Sequence, residues 1–133
     1  MKKAQQFNEF LDKKTIKMPV KIYGIKNCNT MKKTFTLFDA IGESYEFIDY
    51  KKQKPEKELL ESFIDTLGLD TVINRKGTTF RKLDDEIKSA LENKETAIPI
   101  LQEKSSMIKR PIVVFEDGSM QAGFDEDLIR SKF

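Results

Sequence analysis

The sequence predicts an α/β fold: a four-stranded mixed sheet flanked by helices, with a helical segment inserted between the two halves of the sheet. Three observations carry that reading. A strand–helix–strand pattern fills residues 20–50, helical patterns fill the middle of the chain, and a strand pattern returns near the end around an Asp-Gly turn.

The first strand is VKIYGI, 20–25, whose β-branched and aromatic residues alternate in facing. NTMKKTFTLFDAIG, 29–42, follows as a helix: Met31, Phe35, Phe38 and Ile41 share one face, and Gly42 supplies a stop. SYEFIDY, 44–50, reads as a second strand, so the chain opens with a βαβ unit and an expected right-handed crossover. In 54–68, Pro55 takes a first helical position and Gly68 falls just past the end, with Leu59, Leu60, Phe63, Ile64 and Leu67 as the apolar face. Residues 70–83 form a loop-rich segment around Gly77. Residues 84–93 read as a helix with an acidic first turn, and 96–106 as another with Pro99 in or near its first turn. Pro111–Phe115 begins a hairpin for which Asp117-Gly118 is a two-residue turn signal, and a short polar helix at 125–131 closes the chain. This order, β-α-β, helices, then β-β-α, is the thioredoxin plan with an inserted helical subdomain at about 54–106. Residues 18–133 make the single domain. Residues 1–17 are an N-terminal extension whose Phe7, Phe10 and Leu11 fall at the spacing of one helical face.

Composition excludes several classes of chemistry. The net charge is +2, from 24 basic and 22 acidic residues, which gives no electrostatic case for direct nucleic-acid binding. No apolar run approaches the ~20 residues of a membrane span, and the basic N-terminus lacks a signal core, so the expected location is the cytoplasm. The chain has no histidine and one cysteine. That removes Ser-His-Asp and Cys-His catalysis, leaves no zinc ligand set and no internal disulfide, and confines chemistry to the thiol, carboxylates, lysines, arginines and backbone.

The lone thiol, Cys28, falls where the first strand turns into the first helix. A helix start exposes unpaired N–H groups and the positive end of the dipole, and a thiolate is an anion that both stabilise. A cysteine placed there can have its pKa lowered from ~8.5 to about 3.5–7.5. Lys32, at i+4, is in position to add an ammonium, and Asn29 and Thr30 supply short polar groups at the helix start. The bland alternative is a small buried hydrophobe. Cys28-x-x-Met31 lacks the second thiol of a CxxC pair, so any redox cycle has to finish with a thiol from outside. Two cationic positions elsewhere are candidates for the same pocket: Arg110, directly before Pro111, and the pair Arg75 and Lys76 before Gly77. A guanidinium suits a carboxylate or oxyanion, while the alternative for each is a solvated surface charge.

The strings KIYGIKNCNTMKKTF, YEFIDYKK, NRKGTTFRKL, MIKRPIVV and GFDE, in that order over about 20–126, resemble the arsenate reductase/Spx (ArsC-like) family, most closely its small YffB-like branch. The resemblance implies a thioredoxin-like fold with a helical insertion, a nucleophilic Cys28, and a basic residue, Arg110, before a conformationally special Pro111. It also implies a middle-loop cation, at Arg75 or Lys76. Three functions follow from it. The first is a thiol-dependent oxidoreductase, with no tightly bound cofactor. It would act on a small thiol or oxyanion substrate, with glutathione or another low-molecular-weight thiol as co-substrate. The second is an Spx-like transcriptional regulator binding RNA polymerase. The third is arsenate reductase itself. The chain departs from arsenate reductases at Gly123-Phe124 and at Lys32, where they carry arginines, and from Spx-type regulators at Met31, where they carry the second cysteine of CxxC.

Overall fold

The computed structural model describes residues 19–133, so the expected N-terminal extension and its apolar face at Phe7, Phe10 and Leu11 lie outside the described residues. Four strands form one sheet: β1 (Lys21–Gly24), β2 (Glu46–Asp49), β3 (Ile112–Val114) and β4 (Met120–Ala122), in the order β2-β1-β3-β4. β1 pairs in parallel with β2 and antiparallel with β3, and β3 pairs antiparallel with β4. This is the mixed sheet of the thioredoxin-like fold. Helix α1 (Asn29–Ile41) makes the crossover from β1 to β2. The insertion between β2 and β3 holds α2 (Lys57–Leu67), α3 (Leu69–Val72), α4 (Thr78–Arg81), α5 (Asp85–Ala90) and α6 (Lys94–Glu103), and α7 (Glu126–Ser131) follows β4.

Strand alternation divides the core between the two faces of the sheet. Ile22 and Val113, partners in the ladder, pack with Met31, Leu37, Phe38 and Ile129 of α1 and α7. Tyr23 and Ile112, the next pair, face the insertion and pack with Leu60, Phe63, Leu101 and Met107. Tyr23 meets Phe63 edge-on, with ring centroids 5.1 Å apart. β1 is central and buried on both sides, which is why it reads as a nearly continuous apolar run. Each large side chain fully buried here contributes roughly 1.5–3 kcal/mol of transfer free energy.

Several boundaries move from the sequence expectation for local reasons. In α1 the fully enclosed side chains are Met31, Thr34 and Phe38, with Leu37 buried and Phe35 and Ile41 half-buried. Thr34 tolerates burial because its hydroxyl donates to the Thr30 carbonyl at 2.8 Å. Gly42, at φ 74°, ends α1 with its N–H on Asp39 O, while the Glu43 N–H returns to Phe38 O, the paired bonds of a Schellman stop. Pro55 is not the first helical residue: Glu56 is the N-cap of α2, and the buried Pro55 accepts a bond from the Gln102 side chain through its carbonyl. The segment expected to be loop contains two single-turn helices, α3 and α4. The helix expected over 96–106 begins at Lys94, because the Asn93 side chain caps it, and it gives way to a 3-10 turn at Ser105–Met107. Pro99 therefore lies in its second turn. The last hairpin closes through a three-residue loop, not a two-residue one: Phe115 N–H donates to Ser119 O, and Gly118 N–H, at φ 87°, donates to Phe115 O.

No helix among the described residues is long and apolar enough to cross a membrane.

β1 has to approach α1 closely for Cys28 to be placed between them, and Gly24 permits it. A Cβ at Gly24 would stand 2.5 Å from the Met31 sulfur, in a side chain with no exposed surface. Gly24→Ala is therefore expected to destabilise the protein by about 1–3 kcal/mol in urea unfolding. Met31→Ala alone is expected to cost about 2–5 kcal/mol. The double variant should be more stable than the sum of the two costs, and simple additivity would show that no contact couples them.

Candidate active site

Cys28 is the N-cap of α1. Its backbone is extended, at φ −142° and ψ 133°, and its carbonyl accepts the first helical bond, from Lys32 N–H at 3.0 Å. The thiol is half-buried and free. No N–H lies close enough to the sulfur to make a full capping bond, yet the amides of Thr30 and Met31 face it and favour its charged form. Partial burial is the largest single influence and pushes the thiol pKa up. The Met31 and Thr30 amides push it down, as do the charge and a hydrogen bond of Arg110, and together they hold it below the ordinary thiol value.

Arg110 comes to the same cavity from a distant part of the sequence. Its segment is tied to the insertion by a short antiparallel bridge, Ile73 to Ile108, flanked by Asn74 N–H to Met107 O and Lys109 N–H to Val72 O, both 2.7 Å. The guanidinium is steadied by donation to the Ser106 carbonyl at 3.1 Å. The Arg110–Pro111 peptide bond is cis, and the Pro111 carbonyl accepts from Gly123 N–H at 2.8 Å. Two hydrogen-bonded contacts thus hold the residues on both sides of the Arg110–Pro111 bond to separate parts of the fold.

A cavity of about 570 Å³ opens over the thiol. Lys33, Lys109 and Arg110 supply its charge, and among the described residues no carboxylate lines it. Asn74 and Thr30 add polar groups, and Ala122, Gly123 and Phe124 form the wall from the last hairpin. Such a lining is complementary to an anion. Among the described residues no cluster of three or more metal-ligating side chains occurs.

The structure brings together Cys28, Thr30 and Arg110 from the sequence-derived set and leaves the others elsewhere. Lys32 is exposed and lines a neighbouring depression instead; the α1 lysine at the thiol cavity is Lys33. The i+4 argument applies between two helical residues, and Cys28 is extended, so its sulfur looks out past the end of the helix. Asn29 is exposed on the first turn, outside the cavity lining. Pro111 is buried behind the site. Arg75 is turned away: it pairs with Asp70 at 2.9 Å and Glu92 at 3.2 Å and lies over the Phe80 ring, tying α3 and α4 to the turn after α5. Lys76 is exposed and outside the cavity. The middle loop contributes Asn74 in their place. Asn74 and Lys109 carry no local signal in the sequence, because a pairing between distant segments positions both.

The ArsC family profile matches residues 23–132. A protein of Haemophilus influenzae is 33% identical over 114 residues, spanning 86% of this chain and 98% of that protein. The solved structure of a YffB protein is 39% identical with a TM-score of 0.79, covering 85% of this chain and 97% of that one. An arsenate reductase (ArsC) related protein from Brucella melitensis is 38% identical with a TM-score of 0.67, covering 86% and 93%.

The lowered thiol pKa fixes the sign of a pH dependence. A group whose pKa falls on folding stabilises the native state above its unfolded pKa, here ~8.5, and that contribution fades as pH falls through the folded value. Urea unfolding of the native chain and of Cys28→Ser across a pH series is expected to show a difference that is constant above the ordinary thiol pKa. The difference should shift against the native chain as pH falls. A shift in its favour on acidification would contradict the assignment.

Proposed function

The chain belongs to the ArsC family, and on that footing we propose that it is a thiol-dependent oxidoreductase with Cys28 as its single nucleophile and a low-molecular-weight thiol, glutathione or a relative, as reductant. The observation that carries the reading is the meeting of Cys28, the Thr30 and Met31 amides and Arg110 at an open, cationic cavity. The Cys28 thiolate attacks one sulfur of a disulfide. The S–S bond breaks, a mixed disulfide forms on Cys28, and the departing thiolate takes a proton from water. Arg110 and Lys33 hold the carboxylates of the small-thiol half. Since Met31 stands where a second thiol would resolve the adduct, a second external thiol attacks it, regenerating Cys28 and leaving as a disulfide.

Arsenate reduction is the second reading, favoured by the cationic cavity over the thiol. It is weakened at Gly123. The backbone there has φ 84°, a conformation that arginine adopts only with strain, so the hairpin wall offers no second guanidinium beside Arg110.

Incubation with oxidised glutathione followed by intact mass spectrometry tests the proposal. One glutathionyl adduct is expected on the native chain and none on Cys28→Ser, and reduced glutathione should remove it. Absence of any adduct on the native chain would sink the reading. In single-turnover measurements of adduct formation with oxidised glutathione, Lys33→Met is expected to lower the rate about two- to fivefold, the size of one exposed ion pair, with Lys32→Met changing it less. Arsenate with glutathione should turn over at or near background.

A further inference from the structure

A second depression adjoins the thiol cavity. It has a volume of about 620 Å³ and runs between α1 and α7. Lys33 and Phe124 line both, so the two form one continuous trough leading away from Cys28. Leu37, Ala40 and Phe124 provide an apolar floor, and Lys32, Lys33 and Arg130 provide a cationic rim. Arg130 is paired with Glu126, the single carboxylate in either lining among the described residues. Lys32, Lys33 and Lys109 take part in no ion pair among the described residues. In a chain whose charges nearly balance, at +2 overall, this is a pronounced local excess of cations. A small thiol is accommodated by the first cavity and leaves the second one unused.

Building on the proposed thiol chemistry, we infer that the disulfide substrate is a cysteine in an acidic peptide or protein segment joined to a small thiol, with the small half over Cys28 and the acidic chain laid along the α1–α7 trough. The polarity of the reaction follows. Cys28 attacks the sulfur of the small-thiol half, the S–S bond breaks, and the peptide thiolate leaves along the trough and takes a proton from water. The small-thiol adduct stays on Cys28 until a second small thiol attacks it. That step releases a small-thiol disulfide and restores the Cys28 thiolate. One mixed disulfide is reduced to a peptide thiol for each small-thiol disulfide formed. Acidic side chains flanking the substrate cysteine find Lys32 and Lys33, and apolar ones find Leu37 and Phe124. Charge complementarity of this kind acts mainly on association rate and selectivity.

The test uses the full chain and three short synthetic peptides, each with one cysteine in disulfide linkage to glutathione and flanked by glutamates, by serines or by lysines. Oxidised glutathione is the small-substrate control, and reduced glutathione is the reductant. The glutamate peptide is expected to be reduced about tenfold faster than the lysine peptide at low salt, the advantage shrinking as salt rises. Thr36→Glu with Ala40→Glu places two carboxylates at exposed helical positions of the trough without touching the thiol cavity. This variant should lose most of the preference while reacting with oxidised glutathione at the native rate. Equal rates for the three peptides, or a preference untouched by the double variant, would overturn the trough assignment while leaving the thiol chemistry standing. Failure of every disulfide, oxidised glutathione included, would overturn both. A single-stranded oligonucleotide that blocks the glutamate peptide as effectively as excess peptide would reassign the trough to nucleic acid and overturn the proposal.

Discussion

One sulfur atom is shared between two parts of the chain that are distant in sequence. Cys28 is fixed by α1, because an N-cap residue has to sit at the mouth of its own helix, facing the free amides of the first turn. Arg110 is fixed by β3, because it immediately precedes the strand that pairs antiparallel with β1. β1 therefore organises the site twice over: its end delivers the chain into α1, and its edge aligns the segment that brings the guanidinium. The apolar packing on both faces of this strand, Ile22 on one side and Tyr23 on the other, holds an electrostatic arrangement that neither segment could hold alone.

Close packing also explains the single-thiol character of the site. Met31, one helical turn into α1, is wholly enclosed, and its sulfur fills the space that Gly24 leaves free on β1. A fully buried thioether at that position makes the helix start a packing element as well as an electrostatic one. On the proposed chemistry the redox partner of Cys28 arrives through the open cavity, whose lining among the described residues is cationic and without carboxylates. The open surface continues between α1 and α7, where Lys33 and Phe124 line both depressions.

The elements made by local patterning were legible in the sequence. Strand β1, the stop at Gly42, the final hairpin and the position of Cys28 between strand and helix all follow from short-range rules, and α2 follows from the spacing of its apolar residues, whereas α3 and α4 fall in a segment read as loop-rich. Arg110 was legible too, through the proline after it. Lys33 was missed because helical spacing was counted from a residue whose backbone is extended, which selected Lys32, one residue too early. Asn74 and Lys109 were missed because the Ile73–Ile108 bridge joins segments with no local mark of their pairing. Arg75 was over-read because its acidic partners, Asp70 and Glu92, are brought to it by α3 and by the turn after α5. Charges on loops declare a potential role in sequence, and only the fold decides which of them are already spent on one another.

The central claim is that amides at the start of α1 and the Arg110 guanidinium together hold the Cys28 sulfur as an accessible anion. Ultraviolet titration of the thiolate, in the native chain and in Arg110→Met, tests it most directly. The account predicts a midpoint below that of free cysteine in the native chain, moved upward in the variant but still held down in part by the helix amides. A native midpoint at or above that of free cysteine, or one indifferent to the loss of Arg110, would contradict it.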